Sequence, residues 1–123
     1  MLRIKTFSIK IIIFFLFFIR YLCAIDFSGD DLVKKSIDLF YNYKPAEAVH
    51  LLTEGRDLFP NNQRIHFTWA ASRMLESEAQ YSVEKSYERL EEDLNEIIPI
   101  LKILNKKYKN IPEYKLYYGS AIG

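Results

Sequence analysis

Two prolines, Pro45 and Pro60, frame the stretch "KPAEAVHLLTEGRDLFPNN" at residues 44–62, and that frame constrains the fold more than any other feature of the chain. Proline is tolerated in the first turn of a helix, where its missing N–H would be unbonded anyway, and it stops a helix that reaches it later. Pro45 therefore opens a helix and Pro60 closes it, with Ala48, Leu51, Leu52, Gly55 and Leu58 along one side. Upstream, Ser28 with Asp31 three residues later makes a capping box. Leu32, Val33, Ser36, Ile37, Leu39 and Phe40 then follow at helical spacing to about Tyr43. With so few residues between them, the two helices must fold back into a tight antiparallel hairpin.

The remainder also reads as helix. A third helix from Asn62 or Gln63 to about Glu78 carries Ile65, Phe67, Trp69, Ala70 and Met74. After a polar break from Gln80 to Val83, "EKSYERLEEDLNEIIPILKILNKKY" predicts a long helix, or two in line, from Glu84 to about Lys107, with Pro99 kinking or restarting it. A last helix opens at Pro112 and runs through "EYKLYYGSA", and no alternating strand pattern occurs anywhere. The expected fold class is all-α: antiparallel helix hairpins stacked as a short solenoid, about five helices after the N-terminal segment.

An offset of 49 residues aligns the chain with itself. It places Ala48, Leu52, Ile65, Trp69 and Ala70 on Ile97, Leu101, Tyr114, Tyr118 and Gly119, alike in character at nearly every pair. Such matching has a physical cause, because a hairpin cannot bury both faces alone and successive hairpins reuse the same small and large positions.

The stretch "LVKKSIDLFYNYKPAEAVHLLTEGRDLFPNN" resembles a tetratricopeptide repeat, a helix–turn–helix unit of about 34 residues. Leu32, Ser36 and Leu39 stand where that family's first helix carries large, small and large residues. Ala48, Leu52, Gly55 and Pro60 stand where its second helix carries small, large, small and a closing proline. Lys35 and Pro45 depart from the pattern, which has a large apolar and an aromatic residue there. A second unit starts at Gln63, keeps Ala70 small, and holds about fifteen extra residues before Ile97, Leu101 and Leu104. A third starts at Pro112 with Gly119 in the small position, so the resemblance covers about Asp30 to Gly123. An ordinary helical hairpin would use similar small residues at its crossing, but here the spacing and the internal offset agree on a repeat. Trp69 and Tyr118, at equivalent positions, are expected to pack between hairpins. The ending "YYGSAIG" falls part-way into a unit, which leads us to expect a chain truncated at its C-terminus or completed by another subunit, as a homo- or hetero-oligomer.

The resemblance implies a partner-binding groove lined by the first helices of the units. Its positions here are Lys34, Ile37, Arg64, Thr68, Glu113 and Tyr117, which mix signs and types, so the Lys and Asn clamp that some family members close on a peptide carboxylate is not evident.

The N-terminus differs from all of this. Arg3, Lys5 and Lys10 precede the unbroken apolar run "IIIFFLFFI" at residues 11–19, and Arg20 follows at once. A membrane span needs roughly 20 apolar residues, so the order of basic and apolar regions predicts a secretory signal over residues 1–24, cut after Ala24. Leu22 is large for the position three before the cut, which leaves an uncleaved signal anchor open, with membrane contact through residues 11–24 alone. Cys23 is a poor lipidation site, since Arg20 and Tyr21 stand where small or aliphatic residues belong. The domain then spans residues 25–123 without a cysteine and relies on apolar packing. Losing four basic residues and no acids leaves thirteen basic against sixteen acidic side chains, a net charge of −3 without a basic stripe, which argues against nucleic-acid binding.

Catalytic motifs do not compete with the structural reading. His50 and His66 lie on different helices with no metal-ligand spacing. Glu88, Glu91, Glu92, Asp93 and Glu96 read as the wet face of a helix beside Lys85 and Arg89. Neither a phosphate loop nor a nucleophile elbow is present. The expectation is a non-enzymatic, cofactor-free, metal-free module that binds a protein or peptide in the periplasm or envelope of a bacterium. The alternative is a structural subunit tethered in the inner membrane by the uncleaved N-terminal segment.

Overall fold

The computed structural model describes residues 8–16 and 28–123. Residues 8–16 form a helical segment, α1, whose apolar side chains, among them Ile12, Phe14 and Phe15, are exposed. Ala24, Cys23 and the expected cleavage point lie outside the described residues. Among the described residues, no helix is long and apolar enough to cross a membrane.

Five helices follow: α2 (Asp30–Tyr41), α3 (Pro45–Leu58), α4 (Gln63–Gln80), α5 (Val83–Lys107) and α6 (Pro112–Ile122). Every described element is α-helical. Each helix packs on the next through a short connection, so the chain runs as stacked antiparallel hairpins. Packing also links α2 to α4 and α4 to α6. The first helices of successive hairpins, α2, α4 and α6, thus form one layer, and α3 and α5 form the other.

Local chemistry explains the boundaries. Pro45 and Pro112 each sit in a first turn, as the sequence predicts. The end of α2 is a Schellman motif: Lys44 N–H donates to the Leu39 carbonyl at 2.8 Å and Tyr43 N–H to that of Phe40 at 3.0 Å. Tyr43 supplies the left-handed residue this motif needs, with φ of 60°. The capping box expected at Ser28 and Asp31 does not form. The N-cap is Gly29 at φ 92°, with no side-chain cap, because a Cβ there would lie 2.6 Å from the Phe59 ring and 2.7 Å from Ile65. Asn62 caps α4 in the usual way, its side-chain oxygen accepting from the Arg64 and Ile65 amides at 3.0 and 3.3 Å. Its amide nitrogen donates to the Ser28 carbonyl at 2.8 Å, which fastens the start of the second unit to the start of the first.

Pro99 neither splits nor ends α5, which is continuous over 25 residues. Both Pro99 and Asn95, whose carbonyl loses its helical donor, are exposed, so water can serve that carbonyl.

The core joins the layers through Leu52, Ile65, Trp69, Ala70, Ile97, Leu101 and Ala121. Burying each large aliphatic side chain contributes about 1.5–3 kcal/mol. Ser36, Ala48, Leu52, Gly55, Trp69 and Ala70 are buried, and Leu32, Leu39 and Tyr118 are half-buried. At Gly55 an added Cβ would meet Leu32 at 2.8 Å, so this glycine allows α2 and α3 to approach. Pro60, just past the end of α3, and Gly119 are exposed. Pro60 acts through its carbonyl, and no described helix lies against Gly119.

Candidate functional site

Two polar clusters flank α4, one on each side. On the layer of first helices, Arg64 sits at the start of α4 between Asp30 of α2 and Glu113 of α6. Its Nε and Nη2 donate to the two oxygens of Glu113 at 2.5 and 2.8 Å, and its Nη1 donates to Asp30 Oδ2. Asn62 donates to the other oxygen of Asp30 at 2.9 Å. A planar guanidinium matches a carboxylate with two parallel bonds, which is why arginine suits such a bridge. The Glu113 hydrogen bonds push the Arg64 pKa further up against the cost of burial, so this cation stays charged. Tyr117 stands beside it, its ring edge-on to Phe67 with centroids 5.0 Å apart. Burial, followed by the nearby Glu113 charge, raises the pKa of the Tyr117 phenol.

Three of the six groove residues inferred from the sequence, Arg64, Glu113 and Tyr117, therefore converge. Thr68, one turn beyond Arg64, is half-buried. Lys34 and Ile37 are exposed on α2, away from the ion pairs; Asp30 takes the place expected of them. The signal for Asp30 was in the repeat length itself. Asp30 precedes Arg64 by 34 residues and Glu113 follows it by 49, so the three occupy one register position in successive units. Lys34 belongs to the next position, with Thr68 and Tyr117, a turn further along.

The other cluster lies where α3, α4 and α5 meet, around a cleft of about 620 Å³ whose apolar wall includes Ile100, Ile103 and Leu104. Trp69 forms its floor, with its indole N–H on Thr53 Oγ1 at 3.1 Å. The Arg56 guanidinium lies over that ring at 3.9 Å, a cation–π contact, while its Nη2 pairs with Glu96 at 2.9 Å. Arg56 Nε donates to His66 Nδ1 at 3.0 Å, and the opposite nitrogen, Nε2, lies 2.7 Å from the Pro60 carbonyl. A guanidinium cannot accept, so Nδ1 must be the acceptor and the ring proton sits on Nε2, donated to Pro60. Burial, and after it the Arg56 charge, holds the His66 pKa below its ordinary value despite the Pro60 contact. Arg73 also lies over the indole, 5.1 Å from the ring centroid, and pairs with buried Asp93 at 2.7 Å.

The arrangement limits the chemistry. Both nitrogens of His66 are engaged, so it offers no lone pair to a substrate proton. His50, by contrast, is exposed and pairs with Glu54 at 3.4 Å. Among the described residues, no three metal-ligating side chains converge. What the cleft does present is an aromatic floor, a stacked cation and an aliphatic wall, the composition of a recognition surface. Sequence reasoning found no metal-ligand spacing at His66 and did not single out Arg56; the Arg56–His66 spacing of ten residues has no motif to announce it.

No family model matches the chain, and neither the curated proteins nor the solved structures contain a significant match.

Proposed function

We propose that this chain is an exported, non-enzymatic helical-repeat module of tetratricopeptide type that holds a protein or peptide partner in a bacterial envelope, and that the cleft between α3, α4 and α5 is where it does so. The observation that carries this reading is the Arg56–Trp69 platform beside the aliphatic wall of Ile100, Ile103 and Leu104. Large rigid aromatics and arginines supply most of the binding energy at protein interfaces, and an apolar wall accepts an aliphatic or aromatic anchor without reorganisation. The first-helix layer is the poorer candidate, because the donors of Arg64 are spent on Asp30 and Glu113.

Trp69 is the sole tryptophan of the chain, which makes it a built-in reporter. Peptides selected from a displayed random library against the purified full chain should change Trp69 emission on titration. Arg56→Ala and Ile103→Asp should each weaken binding roughly tenfold or more while leaving the helical circular dichroism intact. Selected peptides that bind without moving Trp69 emission, and with no sensitivity to either variant, would place the partner elsewhere.

A second reading, the membrane-tethered subunit, draws support from the exposed apolar side chains of α1. Sequencing the N-terminus of the protein made in cells separates the two: a chain starting at Ile25 is exported and free, and one retaining residues 8–16 is tethered.

A further inference from the structure

Arg56 and His66 are joined in a way that survives only while the imidazole is neutral. Arg56 Nε donates to His66 Nδ1 at 3.0 Å, and the opposite ring nitrogen lies 2.7 Å from the Pro60 carbonyl. With the ring proton on Nε2, a second proton has one place to go, Nδ1. It would set one N–H against another at hydrogen-bond distance and bring two positive charges into contact. One of the two ring contacts must then break. The Pro60 contact gains, because its donor becomes charged while its acceptor stays a carbonyl. The Arg56 contact is the one lost.

The neighbours decide which side chain moves. His66 is 2% exposed and anchored at Pro60, so it has no water to turn to. Arg56 lies 3.9 Å over the Trp69 ring and holds Glu96 at 2.9 Å, and the Glu96 side chain is 57% exposed. The carboxylate that Arg56 keeps is therefore at the solvent edge of the cleft. Other charges offer no relief. Asp57 lines the same cleft but is exposed, Arg73 of α4 is paired with Asp93 of α5, and Asp30 of α2 and Glu113 of α6 are held by Arg64.

We propose that His66 is a proton-operated latch on the cleft. In neutral solution it holds Arg56 on the indole of Trp69, and in mild acid its second proton drives Arg56 off that face, outward with Glu96. The cleft then loses its stacked cation. The change falls below pH 6.5, because burial first, and then the Arg56 charge, weigh against the imidazolium more than the Pro60 contact and the Glu96 charge favour it. The latch is a property of the free chain, so it can stand where the peptide-binding reading of the cleft fails. Where both hold, peptide affinity falls with the same midpoint.

The test is a titration of the full chain between about pH 7.5 and about pH 4.5, with helical circular dichroism recorded alongside to confine it to the folded state. NMR should show the Nε2–H tautomer of His66 at the neutral end, and Arg56 side-chain protons shifted upfield by the indole ring beneath them. As His66 takes its proton, those Arg56 shifts should return toward ordinary values and Trp69 emission should change, all with one midpoint below 6.5. His66→Gln should abolish the step and His50→Gln should leave it. Glu96→Gln should lower the midpoint, because the Glu96 charge favours the imidazolium. The proposal is overturned if His66 carries its proton on Nδ1 at neutral pH, or if the ring titrates while the Arg56 shifts stay. It is also overturned if the helical signal is lost before His66 titrates, or if the emission step persists in His66→Gln. Should that variant not fold, the wild-type Arg56 shifts decide alone.

Discussion

Arg56 on α3 and Arg64 at the start of α4 have opposite relations to the rest of the molecule. Arg64 is shared between two carboxylates from flanking units, and its fork has no vacancy of use to a ligand. Arg56 has one carboxylate, Glu96, which is itself largely exposed, and lies flat on an indole at the edge of an open cleft. A guanidinium bridged by carboxylates ties helices together. One stacked on an aromatic ring, with a solvent-accessible partner, can exchange that partner for another. Degree of exposure alone would have misassigned them, because the Arg56 side chain is the more buried of the two, at 13% against 30%.

The contrast can be broken most severely at Trp69, which supports the Arg56 cluster and the core together. Trp69→Ala should cost about 3–5 kcal/mol in urea denaturation and abolish cleft binding. A loss under about 1 kcal/mol would mean that the indole is not part of the core. Next in size, Arg64→Met leaves Asp30 and Glu113 facing each other unpaired. Their partial exposure limits the cost to about 1–2 kcal/mol, measured as a stability loss with unchanged peptide affinity. Arg56→Ala should give the reverse pattern, affinity lost and stability little changed.

A further test uses pH. His66 has a folded-state pKa below its unfolded value of 6.5, so below that pH the unfolded chain binds the extra proton. The stability from neutral His66 is complete above about pH 6.5 and is lost as pH falls from there through the lower folded pKa. His66→Gln should remove this component of the slope, read from denaturation midpoints between about pH 7.5 and 5. An unchanged slope would show that His66 is not buried neutral. The smallest effect belongs to Lys34→Ala, expected within about 0.5 kcal/mol of wild type, since Lys34 stands outside both clusters. A larger loss would return it to the groove.

The sequence carried the helices well because their signals are local. Pro45, Pro60 and Pro112 act within a turn of where they stand, and the apolar spacing of α2 to α5 needs no knowledge of partners. It failed at Ser28, where a plausible cap lost to a glycine forced by Phe59 and Ile65, residues some thirty positions away. Pro99 left one helix or two open for a related reason, since the cost of a helix-interior proline depends on whether water reaches the freed carbonyl. The ion-pair layer was partly legible: the 49-residue offset found Glu113 opposite Arg64, and a one-turn register error on α2 hid Asp30. The Arg56–His66–Glu96 cluster was not legible at all, because it joins three helices through contacts that no periodicity encodes.

One consequence follows from where α4 sits. Among the described residues it packs against α2, α3, α5 and α6, whereas α6 touches only α4 and α5. Amide hydrogens of α6 can then exchange with solvent through local openings that leave the first two hairpins intact, while those in the middle of α4 exchange only when the whole domain unfolds. The molecule thus has a gradient of protection, slow at its centre and fast at its C-terminal edge.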